Sequence, residues 1–333
     1  MRILRVDASA PQLDALRDAA DLLRSGGLVA FPTETVYGLG ANALDARAVR
    51  RIYEAKGRPA LNPLIVHVSS IEMARELAAD WPDLAERLAR HFWPGPLTLV
   101  VRKSDRLPAE VSGGGSTVGL RMPAHPVALA LIEAAGIPLA APSANRSNEV
   151  SPTTAQHVER GLGDRVGIIV DGGPTSVGIE STVVDATGVE PRVLRPGMIT
   201  AGEIARVAGG AVTGGVEAPG EAPRSPGMMG KHYAPGGHVL LFAPADIDDA
   251  AARARDALAR GQRVGALVFT SLGVAGVQEH AMSPDAREYA RRLYATLHTL
   301  DLAGCDVILV EQPPPTDEWQ GVRDRLQRAT LPA

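Results

Sequence analysis

The feature that most constrains this chain is a pattern that stops and then restarts. Over residues 1–205 short apolar runs alternate with stretches whose apolar side chains recur at helical spacing. From about Val207 to Gly237 the periodicity gives way to a Gly- and Pro-rich segment, and beyond it a compact strand–helix alternation resumes. Alternating strands and helices hide their apolar faces against one another in layers, so the chain is expected to be an α/β protein in two parts. Residues 1–206 form the larger part, 207–237 a linker too long for an ordinary loop, and 238–333 a smaller part.

In the larger part an amphipathic helix is expected over Pro11–Ser25, stopped by Gly26, and a second from an Asp45 cap to about Lys56. Further helices are expected near Ile71–Ala79 and Pro82–Phe92. Strands are expected at Leu28–Phe31, Leu64–Val68, Leu97–Val101, Val118–Met122, Leu139–Ala141, Val166–Val170, Thr182–Val184 and Val193–Arg195. So many strands with helices between only some of them point to a twisted mixed sheet with flanking helices. The smaller part reads as three βα units, with strands at Val239–Phe242, Val264–Phe269 and Val307–Val310 and helices at about Asp246–Arg260, Pro284–Leu300 and Asp317–Ala329. That makes a small parallel sheet of Rossmann-like shape.

Composition removes several functions. The formal charge is −4, and it is spread evenly: 21 basic against 23 acidic side chains over 1–205, and 13 against 15 thereafter. No basic face marks nucleic acid as the main ligand. Cys305 is the only cysteine, which excludes an internal disulfide and a thiolate zinc cluster. No apolar run is long enough for a membrane helix and none at the N-terminus resembles a signal peptide, so a soluble cytoplasmic protein is expected.

Polar residues of the larger part gather in Gly/Pro-punctuated loops at strand ends. Thr33, Glu34 and Thr35 follow the first buried strand, and Gly38 and Gly40 beyond them are expected to let a ligand approach the backbone closely. Lys56, Arg58 and Asn62 precede the strand that carries His67, and a cation pair beside glycine suits a polyphosphate. Gly113–Gly115 and Thr117 lead into a strand ending at Arg121, a residue fitted to clamp a carboxylate. Ala141, Ser143 and Asn145, with Ser151 nearby, form a fourth group; Glu180, Ser181 and Arg195 complete a fifth. Each has a structural alternative: a capped turn, a solvated helix end, a satisfied histidine, a hairpin tip. There is no Walker-type phosphate loop, no G-x-G-x-x-G after the first strand, no G-x-S-x-G elbow and no zinc spacing.

Taken in order, FPTETVYGLGAN (31–42), KGRP (56–59), WPGPL (93–97), GLRMP (119–123), PSAN (142–145), ESTV (180–183) and LRPG (194–197) resemble the L-threonylcarbamoyladenylate synthase, or YrdC-like, family. SPGM (225–228), KHYAP (231–235) and the α/β tail resemble its longer two-domain form. The resemblance implies a YrdC-like catalytic domain that condenses L-threonine, bicarbonate or CO2, and ATP to threonylcarbamoyl-AMP and pyrophosphate. It also implies a separate transferase complex that moves the threonylcarbamoyl group to tRNA beside the anticodon, with any tRNA contact by this chain weak or indirect. By the same resemblance Thr35, His67, Arg121 and Ser181 contact threonine. Lys56, Arg58, Asn62, Thr117, Ser143, Ser151, Arg195 and Tyr233 would contact the nucleotide, with Ala141 contributing backbone.

The residue chemistry is compatible. A carbamate is already an anionic oxygen nucleophile and needs no strong base; it needs two anions held together, for which Lys56, Arg58 and Arg195 are suited. Mg2+ would come bridging the ATP phosphates and keep most ligands as water. A hydroxyl from Thr35 or Ser181 would tell threonine from valine. Because Lys231 and Tyr233 lie in the aperiodic segment, that segment is expected to fold over the site as a lid. Two other readings remain at this point: a carbamoyl-adenylate former of the hydrogenase-maturation kind, which a single cysteine disfavours, and a non-catalytic RNA-binding module, which the charge and few aromatics disfavour.

Overall fold

The computed structural model describes residues 1–214 and 233–331. The strands are β1 (Arg2–Arg5), β2 (Val29–Phe31), β3 (Gly38–Asn42), β4 (Ile65–His67), β5 (Leu97–Arg102), β6 (Thr117–Arg121), β7 (Leu139–Ala140), β8 (Ile168–Asp171), β9 (Thr182–Asp185), β10 (Arg192–Arg195), β11 (Thr213–Gly214), β12 (His238–Phe242), β13 (Val264–Val268), β14 (Gln278–Ala281) and β15 (Val307–Glu311). The first eleven form one sheet in the order β1-β8-β2-β3-β7-β4-β6-β5-β9-β10-β11. It is mixed: β4 runs parallel to β6 and β5 to β9, while β2–β3, β4–β7 and β5–β6 are antiparallel. The last four make a wholly parallel sheet, β12-β15-β13-β14. A mixed α/β domain followed by a smaller parallel one is what the sequence pattern calls for.

The caps behave as their residue types require. Asp45 accepts the Arg47 N–H at 2.8 Å and opens the helix Ala46–Lys56, which Gly57 closes in the left-handed region at φ 62°. Pro82 is the N-cap of the helix Asp83–Phe92, one position outside its first turn.

Three strands of the large sheet and one of the small lie outside the sequence expectation. The most instructive is β3, whose glycines mimic a loop. A Cβ on Gly40 would come within 2.7 Å of the Phe31 ring, so glycine is there to let that ring lie across the neighbouring strand. Gly40 thus serves packing rather than ligand approach. Arg2–Arg5 and Gln278–Ala281 are edge strands with few apolar contacts, and Thr213–Gly214 is two residues long. Of the expected linker, the helix Ala201–Ala208 and β11 account for the start; residues 215–232, with SPGM and Lys231, lie outside the described residues.

The two parts share a core. Val36, Val150, Ile179 and Tyr233 pack in one apolar cluster with Leu293, Tyr294, Leu297 and Val322 from the C-terminal helices. Two glycines bring backbones into contact: a Cβ on Gly178 would lie 2.4 Å from the Ala290 carbonyl oxygen, and one on Gly321 would lie 2.7 Å from that of Gly197.

Candidate functional site

Loops and strand ends of the large sheet converge on one hollow. The loop after β2 brings Thr33, Thr35 and Val36, the turn after helix Ala46–Lys56 brings Arg58, and the end of β7 leads into Ala141, Pro142 and Ser143. Glu180 and Ser181 come just before β9, Arg195 ends β10, and Tyr233 closes one side. His67 and Arg121 sit side by side because β4 and β6 are parallel and pair His67 with Arg121.

The threonine-type residues form one connected wall. Arg121 Nη1 donates to Thr35 Oγ1 at 2.9 Å and its Nε to the Gly95 carbonyl at 3.3 Å. Thr33 Oγ1 donates to the Val36 carbonyl at 2.6 Å, so the Thr35 hydroxyl is the donor in its 2.8 Å bond with Thr33. Ser181 Oγ lies 2.7 Å from Thr98 Oγ1 and accepts from Arg195 Nη2 at 3.3 Å. Burial, aided by the Arg121 charge, pushes the His67 imidazole down to about 3, so the ring is neutral. Its edge rests on Phe31, with ring centroids 6.0 Å apart, which ties the Gly40–Phe31 packing to the site.

The cations of the second wall are buried. Arg58 is 7% exposed; its Nε and Nη2 donate to the carbonyls of Asn62 and Pro63 at 3.3 and 3.0 Å. Burial draws its guanidinium down to about 10, which leaves it charged at neutral pH. Lys56 stands behind the wall: its ammonium donates to the Ser143 carbonyl at 2.5 Å and to that of Asn145, fixing the loop that carries Ser143. Burial, then the neighbouring Arg58, hold it well below the usual lysine range. Arg195 donates to the Ser181 carbonyl at 3.3 and 2.9 Å.

Glu180 is the carboxylate of this wall, and both its oxygens are engaged. Oε1 accepts Ser151 Oγ at 2.5 Å; Oε2 accepts Tyr294 Oη at 3.0 Å and Arg325 Nε at 2.7 Å. Burial alone would push the carboxyl up, but Arg325, Arg195 and the Ser151 hydroxyl outweigh it and hold the group at about 2.

Most of the expected residues therefore meet: Thr35, His67, Arg58, Arg121, Ala141, Ser143, Ser181, Arg195 and Tyr233 line the hollow. Lys56 and Ser151 stand one layer behind it. Asn62 adjoins Arg58, and Thr117 opens β6 four residues before Arg121, roughly 13 Å away along the strand. The triple glycine 113–115 is not in the wall; a Cβ on Gly113 would strike the Leu61 carbonyl at 2.5 Å. Sequence reasoning missed Thr98, Tyr294 and Arg325. For Arg325 a signal existed: with Val322, Leu326 and Ala329 it occupies the apolar stripe of the last helix, where an arginine is out of place.

The unsatisfied polar atoms gather here too. Among the described residues, buried side-chain atoms with no hydrogen-bond partner belong to Glu34, Asn62, His67, Arg121, Thr175 and Tyr289, four of which are at or beside the hollow. Arg121 Nη2 is 2.7 Å from Glu34 Oε1, an ion pair by distance whose N–H bonds do not aim at that oxygen. Buried polar groups ordinarily find partners, so a cluster that does not is shaped for something that binds. Among the described residues no group of three His, Cys, Asp or Glu could hold a metal ion, and no helix is long and apolar enough to cross a membrane.

Known proteins share these features. A family model described as telomere recombination matches residues 21–197, and one described as threonylcarbamoyl-AMP synthase, C-terminal domain, matches 199–330. The chain is 44% identical over 326 residues to threonylcarbamoyl-AMP synthase of Pyrococcus abyssi, covering 95% of this chain and 94% of that protein. A putative threonylcarbamoyl-AMP synthase of Mycobacterium tuberculosis is 44% identical over 191 residues, 57% of this chain and 88% of its own. The crystal structure of P. abyssi Sua5 complexed with L-threonine superposes with a TM-score of 0.91 at 42% identity, over 99% of this chain and 98% of that one. Since the likeness runs through both sheets and across the convergent loops, the chain belongs to the threonylcarbamoyl-AMP synthase family.

Proposed function

We propose that the chain is a nucleotidyltransferase that condenses L-threonine, bicarbonate or CO2, and ATP to threonylcarbamoyl-AMP, releasing pyrophosphate. The observation that carries this reading is the meeting, in one hollow, of a wall suited to an amino acid (Thr35, His67, Arg121, Ser181) with a wall of buried cations.

The chemistry assigned to each residue follows from its geometry. Arg121 offers the threonine carboxylate the Nη2 that no hydrogen bond occupies, while its Nη1 stays anchored on Thr35. The neutral His67 ring, with an unpartnered Nδ1, can accept from or donate to the amino acid without adding charge. Ser181, held by Thr98 and Arg195, is the hydroxyl placed to read that of threonine, because the Thr35 proton is already committed to Thr33. The threonine amine adds to CO2, which bicarbonate supplies by losing water, and gives its proton to solvent; the carbamate oxygen then bonds to the α-phosphorus as the bond to pyrophosphate breaks. Arg58 and Arg195 face the charge that develops on the phosphates, while Lys56 fixes the Ser143–Asn145 loop beside them. The nucleotide enters as its Mg2+ complex, so the metal is part of the substrate. The product, a mixed anhydride, requires a separate transferase to carry the threonylcarbamoyl group to tRNA.

The test is mass spectrometry of a reaction containing Mg–ATP, bicarbonate and isotopically labelled threonine. Label in a threonylcarbamoyl-AMP product, strongly diminished with Arg121→Ala and Arg58→Ala, is the expected result. Pyrophosphate release that does not depend on threonine rejects the reading.

A further inference from the structure

The C-terminal domain reaches the active site through two side chains with no role in the reaction above. Arg325 lies on the helix Gln320–Thr330 and is 1% exposed. Its Nε donates to Glu180 Oε2 at 2.7 Å, its Nη2 to the Glu180 carbonyl at 3.3 Å, and its Nη1 to the Pro196 carbonyl at 3.0 Å and to Asp324 at 2.6 Å. Its guanidinium also lies over the Tyr233 ring, 5.2 Å from the centroid. Tyr294, on the helix Ala286–Leu302, donates to the same Glu180 oxygen and stacks on Tyr233 with centroids 5.9 Å apart.

Glu180 poses the problem that these contacts solve. It is the carboxylate in the wall of a hollow that takes triphosphate, and like charges at that range repel. Left unpaired, it would turn toward the nearest cations of the hollow and compete with phosphate oxygens for them. Its own domain supplies one neutral donor, Ser151. The Arg195 guanidinium of that domain also attracts the carboxylate, but the cation that hydrogen-bonds it comes from the other domain.

We propose that Arg325 is a positioning residue of the active site: paired with Glu180 and helped by the Tyr294 hydroxyl, it holds that carboxylate away from the nucleotide subsite. The second domain is therefore part of the ATP site in this chain, acting through one buried ion pair rather than through contact with substrate. The close backbone approaches at Gly178 and Gly321 fix the distance over which the pair forms.

This inference rests on the adenylate-forming reading, and the experiment separates the two. Full-length Arg325→Met, Glu180→Gln, the double variant and Tyr294→Phe are assayed for threonine-dependent pyrophosphate release, and Mg–ATP binding is measured by calorimetry without threonine. Arg325→Met is expected to raise KM and Kd for Mg–ATP at least tenfold with a smaller change in kcat. Adding Glu180→Gln should bring KM back to within about threefold of Glu180→Gln alone, because no bare carboxylate then remains. An Arg325 that merely clamps the domains together would gain nothing from Glu180→Gln, so additive losses overturn the proposal, as does an unchanged KM in Arg325→Met. If Arg325→Met does not fold, Tyr294→Phe decides: it keeps the stacking and removes one hydroxyl, and should raise KM for Mg–ATP several-fold; no change overturns the proposal. A wild-type protein that releases no threonine-dependent pyrophosphate sinks the functional reading, and the calorimetry still judges Arg325.

Discussion

Gly321 lies in the first turn of the last helix, where ordinary propensity and local packing predict opposite outcomes for alanine. Within an unconstrained helix, replacing glycine by alanine stabilises by about 1 kcal/mol. Here a Cβ would sit 2.7 Å from the Gly197 oxygen, 2.8 Å from its carbonyl carbon and 2.9 Å from its Cα. All three are backbone atoms, so no side chain can rotate aside. Relief requires lifting the helix off the segment that follows Arg195. Overpacking costs about 1–3 kcal/mol, and a rigid neighbour places this case near the top of that range. The net expectation for Gly321→Ala is a loss of about 2 kcal/mol. Lifting the helix also stretches the Arg325 bonds to Pro196 and Glu180, so the loss should appear in KM for Mg–ATP as well as in stability. Urea unfolding followed by tryptophan emission is the assay, since Trp319 is 2% exposed beside this helix. Gly210→Ala, whose added Cβ meets nothing within 4 Å, is the control and should change stability by less than about 0.5 kcal/mol. A Gly321→Ala protein as stable as wild type, or more so, refutes the close docking of the two domains.

Two further outcomes follow from the threonine wall. Arg121→Ala removes the Nη2 donor that meets the threonine carboxylate and should lower kcat/KM for threonine by about one to two orders of magnitude, at roughly 1.5–3 kcal/mol for one charge-assisted bond, while leaving Kd for Mg–ATP within a few-fold; equal losses for both substrates would show a general collapse. The pKa of His67 is lowered to about 3 in the folded chain, so only the unfolded chain takes up its proton as pH falls below about 6.5. Stability should therefore drop by about 2 kcal/mol between pH 7 and pH 5 on this account, and His67→Gln should flatten the slope by that amount in urea titrations at the two pH values.

How much of this could be read from the sequence depends on what each residue faces. The expected strands that appear, such as Leu97–Arg102 and Thr182–Asp185, are buried on both sides, and burial writes a continuous apolar run. Gly38–Asn42 is equally buried but escaped, because its glycines answer to the Phe31 ring, a tertiary cause with no local trace. Gln278–Ala281 escaped for the opposite reason: an edge strand without core contacts carries no apolar signature. The polar loops were legible as candidates, but their convergence was not. His67 and Arg121 meet only through a parallel pairing across 54 positions, and Glu180 meets Arg325 across 145. Spacing along the chain says nothing about such pairs. A lone arginine on an apolar helical stripe does, and Arg325 was the one residue whose partner had to be sought elsewhere in the fold.

The hollow and its lining carry cations that are buried without all being paired. Lys56, Arg58, Arg121 and Arg195 are each 7% exposed or less. Arg121 has Glu34 beside it, whereas Arg58 meets carbonyl oxygens and, among the described residues, no carboxylate. A buried cation without a counter-charge is costly, and the fall of its pKa to about 10 corresponds to about 3 kcal/mol. Its two charge-assisted carbonyl bonds, at 3.3 and 3.0 Å, return about 1.5–2 kcal/mol each. Arg58→Met should therefore leave the unliganded protein within about 1 kcal/mol of wild type, unlike the usual loss of a buried arginine. What it should abolish is the stabilisation by Mg–ATP, about 2.7 kcal/mol at a ligand concentration one hundred times Kd. Thermal and urea unfolding with and without Mg–ATP measures both quantities. A variant that loses several kcal/mol without ligand would mark Arg58 as a structural residue; one that loses only the ligand's contribution shows a fold that bears an uncompensated charge because the substrate brings the other half of the pair.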